Sequence, residues 1–278
     1  MNNLHFCGGL PRSGSTILMN ILQQNPRIFT TGSCALYELI SDKILVKGRY
    51  SETFQAMSTD QADAAMYGLI QGATKGWYEA LTDKPTVISK RHGWSSLFHL
   101  YPNSKYICVV RDLRDVAESF EKINSKTLAL HTFSSLNVML PAMSITEKYR
   151  YHFEESNSLS NNLQFEIPRL MNVFQQKQDR VIFVRYEDFT KDPEYMIKKI
   201  HVILNEPYFE YDLSKISQSA LFEHDHAYFR ERTEHKTYSE FKHYKDPVRS
   251  LPDSFHEKVV KNHKWFYQAF YPEVLNEY

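Results

Sequence analysis

The chain has 278 residues and a formal net charge of zero, because 33 basic side chains balance 33 acidic ones. Its hydrophobic content of 42% is enough for an interior core, and we expect a single domain over residues 1–278. The charge balance gives no reason to expect nucleic acid or an anionic membrane as the main partner, so any anion site must be a local arrangement. No apolar run reaches the roughly 18 residues of a membrane span.

Three cysteines, Cys7, Cys34 and Cys108, are spaced neither like zinc ligands nor like a disulfide framework. Cys7 and Cys108 lie in apolar runs that are typical of buried strands. A reducing compartment is the simpler interpretation. Because the N-terminus also shows no signal-peptide pattern, the sequence predicts a cytoplasmic protein. No cluster of candidate metal ligands is visible, and we expect no metal.

Short apolar runs alternate with helical patterns along the chain. The predicted strands are Leu4–Cys7, Thr86–Ile88, Tyr106–Val110 and Val181–Val184. The predicted helices are Ser15–Gln24, a pair within residues 52–82, Arg114–Ile123, a helix that opens at Asp192 and Pro193, and Ser254–Phe270. Residues 222–253 are predicted to form an irregular surface stretch or lid. The alternation predicts an α/β fold, a P-loop-like arrangement of three layers around a central parallel sheet, with its site at the carboxyl ends of the strands.

A glycine-framed loop separates the first predicted strand from the first helix. Gly9 and Gly14 give it the G-x-x-x-x-G frame of a phosphate-binding loop, in which backbone N–H groups and the helix N-terminus hold an anion. Ser15 and Thr16 follow, where a nucleotide triphosphatase would have Lys and then Ser or Thr, so the loop is poorly equipped for ATP and magnesium chemistry. The alternative to a phosphate-binding loop is a glycine turn before an ordinary helix. The predicted phosphate-binding residues are Arg12, Ser13, Gly14, Ser15 and Thr16.

Two segments resemble sulfotransferases. The run GLPRSGST, from Gly9 to Thr16, resembles the 5′-phosphosulfate loop of that family, most closely in the tyrosylprotein sulfotransferases and their bacterial relatives. The segment from Val109 to Ser119 resembles the family's 3′-phosphate motif, in which an Arg at a strand end is followed by a Ser on the next helix. Arg111 and Ser119 would then hold one phosphate from two sides. The alternative for Arg111 is a surface ion pair with a neighbouring aspartate.

Two further matches add candidate contacts to the nucleotide. Tyr186, in the run VRYEDF, resembles a family tyrosine near the nucleotide, although a core tyrosine is an equal alternative. Lys245, in the run YKDPV, resembles a late nucleotide-binding lysine. The resemblance implies 3′-phosphoadenosine-5′-phosphosulfate as co-substrate and no metal.

The candidate catalytic groups follow the Thr86–Ile88 strand. Lys90 and His92 have the Lys-x-His spacing with which the corresponding strand of cytosolic sulfotransferases ends. The resemblance implies that Lys90, together with Arg12, stabilises the leaving phosphate oxygen. It also implies that His92 is the general base, a role that suits an imidazole near neutral pH. The alternative for His92 is a solvated loop histidine.

One departure from the family pattern leaves the base open. The tyrosylprotein branch has a Glu after a Gly some twenty residues beyond the loop, and Ser33 stands at that place here. Glu38 lies nearby as a second candidate base. The departure puts protein tyrosine in doubt as the acceptor, and a small-molecule, glycan or peptide hydroxyl group remains possible. A small-molecule kinase and a non-catalytic nucleotide-binding protein on the same fold are the competing interpretations.

Overall fold

The computed structural model describes residues 3–31, 50–90, 100–130, 143–154, 162–175, 179–217, 240–243 and 248–277. The strands are β1 (Asn3–Gly9), β2 (Ile28–Thr31), β3 (Thr86–Lys90), β4 (Tyr106–Val110) and β5 (Val181–Arg185). The helices of the first half are α1 (Ser15–Leu22), α2 (Glu52–Gln55), α3 (Thr59–Leu81) and α4 (Leu113–Leu130). The later helices are α5 (Ile145–Phe153), α6 (Asn162–Gln175), α7 (Tyr186–Lys191), α8 (Pro193–Leu204), α9 (Asp253–Asn262), α10 (Lys264–Phe270) and a 3₁₀ turn (Pro272–Asn276).

The described strands form one parallel sheet in the order β2-β3-β1-β4-β5. The predicted α/β fold with a central parallel sheet is therefore confirmed. The chain moves from β1 to one side of the sheet for β2 and β3, and to the other side for β4 and β5. This reversal places a topological switch point at the carboxyl ends of β1 and β4, where ligands bind in open parallel sheets.

Helices cover both faces of the sheet, and each face has its own apolar core. Strand β4 contributes alternately to the two cores: Tyr106 and Cys108 face one, and Ile107 and Val109 face the other. Cys7 lies on the face opposite Cys108, and both thiols are free and buried. Burial raises the pKa of Cys7 to about 12 and also raises that of Cys108, so neither thiol is a reactive group at neutral pH.

Helix α3 attaches to the sheet beside the predicted catalytic strand. Its start is fixed by a capping box, in which the Gln61 backbone N–H donates to the Ser58 hydroxyl and the Ser58 N–H donates to the Gln61 side chain. One face of the helix is buried at every fourth residue, and Tyr78 on that face donates a 2.6 Å hydrogen bond to the hydroxyl of Ser89 in β3. Leu69, an apolar residue of the same helix, is about half exposed.

Several elements differ from the sequence predictions. Strand β2 was not predicted, nor were helices α5, α6 and α7. Strand β5 is only partly buried because it lies at one end of the described sheet, and the last predicted helix is broken at His263 into α9 and α10. The predicted N-cap at Asp192 is confirmed, since its carboxylate accepts the backbone N–H of Tyr195 at 3.0 Å and Pro193 occupies the first turn.

Within the described ranges, no helix is long and apolar enough to cross a membrane. The same part of the chain contains no group of three or more His, Cys, Asp or Glu side chains that could hold a metal ion.

Candidate functional site

The glycine-framed loop leaves β1 through a backbone conformation that requires glycine. Gly9 has φ +125°, in the region that side-chain-bearing residues rarely adopt, and a Cβ atom there would lie 1.9 Å from the carbonyl oxygen of Val109 in the neighbouring strand. The next residue, Leu10, donates its N–H to that same oxygen at 3.1 Å. The loop is therefore tied to β4 at the point where it begins.

The interior of the loop turns its backbone toward the start of α1. Arg12 and Gly14 both have left-handed φ values, +59° and +89°. The buried Ser13 hydroxyl donates to the Leu10 carbonyl at 2.6 Å, so its hydrogen is already used within the loop. Helix α1 begins after Gly14 without a side-chain cap, which leaves its first N–H groups and the positive end of its dipole for a ligand.

The side chain of Arg12 connects the loop to the second predicted phosphate motif. Its Nε donates to the hydroxyl of Ser119 at 3.2 Å, across 107 positions of sequence. The guanidinium of Arg111 in turn donates to the carbonyl oxygen of Arg12 at 3.0 Å. The loop, the residue at the end of β4 and the residue on α4 therefore lie in one site at the switch point of the sheet.

Tyr186 stands directly after β5 and packs against both parts of this site. The guanidinium of Arg111 lies over its ring, 4.5 Å from the ring centroid. Its ring also fills the space beside Gly14, where a Cβ atom would lie 2.5 Å from a ring carbon. Tyr186 is thus a partly buried wall of the site rather than a core side chain.

Arg111 is held by its neighbours but keeps one donor available. Its Nε is buried and has no hydrogen-bond partner among the described residues, and such a group is costly unless a ligand or water satisfies it. The alternative ion pair of Arg111 with Asp112 or Asp115 is not formed. The Asp112 carboxylate accepts hydrogen bonds from Arg114 and Tyr267, and the Asp115 carboxylate accepts one from Arg249. An anion that accepts a hydrogen bond from this Nε fits the site.

Lys90 ends β3 and reaches the other side of the loop. Its ammonium donates to the hydroxyl of Thr16 at 2.5 Å, which places a positive charge beside the N-terminus of α1. The remaining predicted site residues, Glu38, His92 and Lys245, lie outside the described residues. Ser33, the residue at the departure from the family pattern, lies outside them too.

A segment near the C-terminus is attached to α4 beside the Arg111 end of the site. Arg249 donates to the carboxylate of Asp115 at 3.0 Å and lies 3.6 Å from that of Asp112. Burial and the negative charge of Asp112 raise the pKa of Asp115, although the charges of Arg249 and Arg111 oppose the shift. Arg249 therefore ties this segment to two buried aspartates at the start of α4.

Glu118, the neighbour of Ser119, fixes the same segment. It accepts the backbone N–H groups of Ser250 and Leu251 at 2.8 and 2.7 Å, and the Ser250 hydroxyl at 2.7 Å. Burial opposes its ionisation, but hydrogen bonds from His256 and from this segment outweigh burial and lower its pKa to about 2. The glutamate therefore stays charged and ties the chain that follows Lys245 to the helix that carries Ser119.

The sequence offered Asp112 and Asp115 only as ion-pair partners of Arg111 and gave no reason to single out Glu118 or Glu187. Both glutamates look like ordinary charged residues of helices. The one available signal was position, since Asp112 directly follows Arg111 and Glu187 directly follows Tyr186.

A central parallel sheet with a glycine-framed loop at its switch point places the protein in the class of P-loop-like α/β folds. A family model described as the sulfotransferase family matches residues 5–210. The chain therefore belongs to the sulfotransferase family.

Three solved structures are similar to this chain, and the first of them supports the fold. The sulfotransferase domain from the curacin biosynthetic pathway is similar with a TM-score of 0.54 and 17% identity, over 94% of this chain and 97% of that one. The sulfotransferase domain of the Synechococcus PCC 7002 olefin synthase gives a TM-score of 0.49 and 16% identity, over 81% and 82%. Mouse sulfotransferase SULT7A1 complexed with PAP gives 0.43 and 15%, over 76% and 61%. No match was found among curated protein sequences.

Proposed function

We propose that this protein transfers a sulfuryl group from 3′-phosphoadenosine-5′-phosphosulfate to a hydroxyl acceptor. The single observation that supports this most strongly is the contact of Arg12 with Ser119, because it joins the phosphosulfate-type loop and the 3′-phosphate-type motif in one site. A nucleotide that carries anions at both its 5′ and 3′ ends suits a site with two such clusters. The missing Walker lysine argues against the competing interpretation as a kinase.

The residues present fit this co-substrate. The loop N–H groups and α1 would hold the 5′ end, and Arg111 with Ser119 would hold the 3′-phosphate. The buried, unpartnered Nε of Arg111 is the donor that such a phosphate would satisfy. Tyr186 and Lys245 would line the nucleotide. The bound co-substrate supplies the sulfuryl group.

The chemistry asks the protein for charge stabilisation and for a base. Lys90 holds its ammonium at Thr16, beside the loop, where it suits negative charge that develops on a leaving phosphate oxygen. Arg12 shares that task from the loop. His92, two residues beyond Lys90, or Glu38 would take the proton of the acceptor hydroxyl.

A ligand-binding comparison tests the donor. We expect 3′,5′-adenosine bisphosphate to raise the melting temperature, since saturation at about 100 times Kd stabilises a protein by roughly 2.7 kcal/mol, while ATP with magnesium has little effect. Incubation with labelled donor and a panel of phenols, sugars, alcohols and tyrosine peptides should then give an acceptor that gains one sulfuryl group in mass. Stabilisation by ATP and magnesium alone would indicate the kinase. Stabilisation by the bisphosphate without consumption of donor would indicate the non-catalytic protein.

The identity of the base is tested by two substitutions. We expect His92→Ala to abolish turnover while affinity for 3′,5′-adenosine bisphosphate is kept, since removal of a general base typically costs about 10² to 10⁴ in rate. Glu38→Gln, measured in parallel, should retain most of the turnover. Wild-type rates in His92→Ala together with loss of turnover in Glu38→Gln would assign the base to Glu38 instead.

A further inference from the structure

A carboxylate connects the two strand ends that carry the nucleotide-binding pair. Strands β4 and β5 are neighbours, with Val110 opposite Arg185 as their last paired residues. Beyond that pair the ladder stops, and Glu187 continues the connection: its Oε1 accepts the backbone N–H of Asp112 at 3.2 Å. Glu187 follows Tyr186 and Asp112 follows Arg111, so this bond lies directly behind the stacked Arg111–Tyr186 pair.

The second oxygen of Glu187 is fixed from the C-terminal end of the chain. Tyr271, a buried residue that precedes the 3₁₀ turn, donates its hydroxyl to Oε2 at 2.7 Å. The Tyr271 ring is itself covered by the guanidinium of Arg185, 4.3 Å from the ring centroid. Both carboxylate oxygens of Glu187 therefore accept a hydrogen bond, one from the Asp112 backbone and one from the Tyr271 hydroxyl.

The surroundings of Glu187 disfavour its charged form. Burial raises its pKa, and the negative charge of Asp112 raises it further, against the hydrogen bonds from Tyr271 and from the Asp112 backbone. An apolar side chain at this position would avoid that cost but could not accept the N–H of Asp112. A carboxylate differs from an apolar side chain here because it accepts the N–H of Asp112, the residue next to Arg111.

We propose that Glu187 is a positioning residue for 3′-phosphate recognition, acting through Arg111. By accepting the Asp112 N–H, it fixes the direction in which Arg111 leaves β4 and keeps the guanidinium over the Tyr186 ring. A guanidinium that is held in place before the ligand arrives loses less side-chain freedom on binding. The proposal rests on the proposed function, because it takes the ligand to be a nucleotide with a 3′-phosphate.

The test compares two ligands that differ only in the 3′-phosphate. Affinities for 3′,5′-adenosine bisphosphate and for adenosine 5′-monophosphate are measured by calorimetry on the full chain. We expect Glu187→Ala to reduce the ratio of the two affinities by about tenfold, the effect of one lost hydrogen bond, mainly through weaker bisphosphate binding. Because both nucleotides bind the folded protein, the ratio of their affinities does not depend on the folded fraction. A purely structural role of Glu187 would therefore leave this ratio unchanged.

Two variants serve as controls. Glu187→Gln keeps an oxygen for the Asp112 N–H and should restore most of the ratio. Asp188→Ala removes the next acidic residue, which is exposed and lies 3.6 Å from Arg185, and should leave the ratio at its wild-type value. A wild-type ratio in Glu187→Ala would overturn the positioning role alone. A wild-type protein that binds both nucleotides equally and consumes no sulfated donor would overturn the proposed function together with it.

Discussion

Replacement of Arg111 by alanine is expected to weaken binding of 3′,5′-adenosine bisphosphate by about 10-fold to 100-fold, the range that follows from roughly 1.5–3 kcal/mol for a hydrogen bond to a charged group. The side chain holds a buried Nε with no hydrogen-bond partner, contacts the loop through the Arg12 carbonyl and stacks on Tyr186. Its loss removes both a positive charge and a hydrogen-bond donor from the part of the site that is proposed to bind the 3′-phosphate. Affinity for adenosine 5′-monophosphate should fall less, because that ligand lacks the 3′-phosphate.

Two variants define the origin of the effect. Arg111→Lys keeps the charge but loses the planar fork, so it should recover only part of the affinity. Arg150→Ala removes an exposed arginine whose partner, Glu154, lies 3.9 Å away one helical turn on, and should bind like the wild type. Calorimetry on the folded variants supplies the comparison. Unchanged bisphosphate affinity in Arg111→Ala would exclude this residue from the phosphate site.

The sequence predicted the buried strands most reliably. Strand β4 was indicated residue by residue, because a parallel strand covered on both faces is a continuous apolar run. Strand β2 was missed because its apolar run is only two residues long, Ile28 and Phe29, and directly follows the proline-containing turn at Asn25. Strand β5 resembles β4 in sequence, and only the strand order shows that it lies at the end of the described sheet.

The break at His263 shows a limit of periodicity. Apolar residues continue across it, from Val259 and Val260 to Phe266 and Phe270, and no glycine or proline marks the point. The break accompanies tertiary contacts of His263, such as the 3.1 Å hydrogen bond between its ring and the Tyr149 hydroxyl. Contacts of this kind depend on where α5 lies, and a local pattern does not carry that information.

The candidate site also has parts that the sequence predicts and parts that depend on tertiary packing. The loop and the Arg111–Ser119 pair could be predicted because each follows directly after a predicted strand. The carboxyl ends of parallel strands meet at one edge of the sheet. The hydrogen bond from Arg12 to Ser119 could not be predicted, since it depends on how α4 packs, 107 positions further along the chain. The supporting carboxylates were missed for a different reason: an acidic residue at a helix start usually needs no further explanation than the helix dipole.

Substitution of Gly9 by alanine is expected to destabilise the protein by about 4 kcal/mol or more, which is an exceptional value for one methyl group. The new Cβ would lie 1.9 Å from the Val109 carbonyl oxygen, a backbone atom that is paired in the central sheet and cannot move aside as a side chain could. The backbone at φ +125° adds strain of its own. Urea unfolding followed by circular dichroism should show a markedly lower midpoint, or no folded baseline.

Gly72→Ala is the matched control, because it adds the same methyl group to a glycine with a different environment. Gly72 lies within α3, and a Cβ atom there meets nothing within 4 Å. Alanine should stabilise the protein by roughly 0.5–1 kcal/mol, since it restricts the unfolded chain and favours the helix. Opposite signs for the two glycines would show that the requirement at residue 9 comes from the close approach of the loop to β4. A Gly9→Ala protein with the wild-type unfolding midpoint would refute that close approach, and with it the anchoring of the anion-binding loop to the strand that carries Arg111.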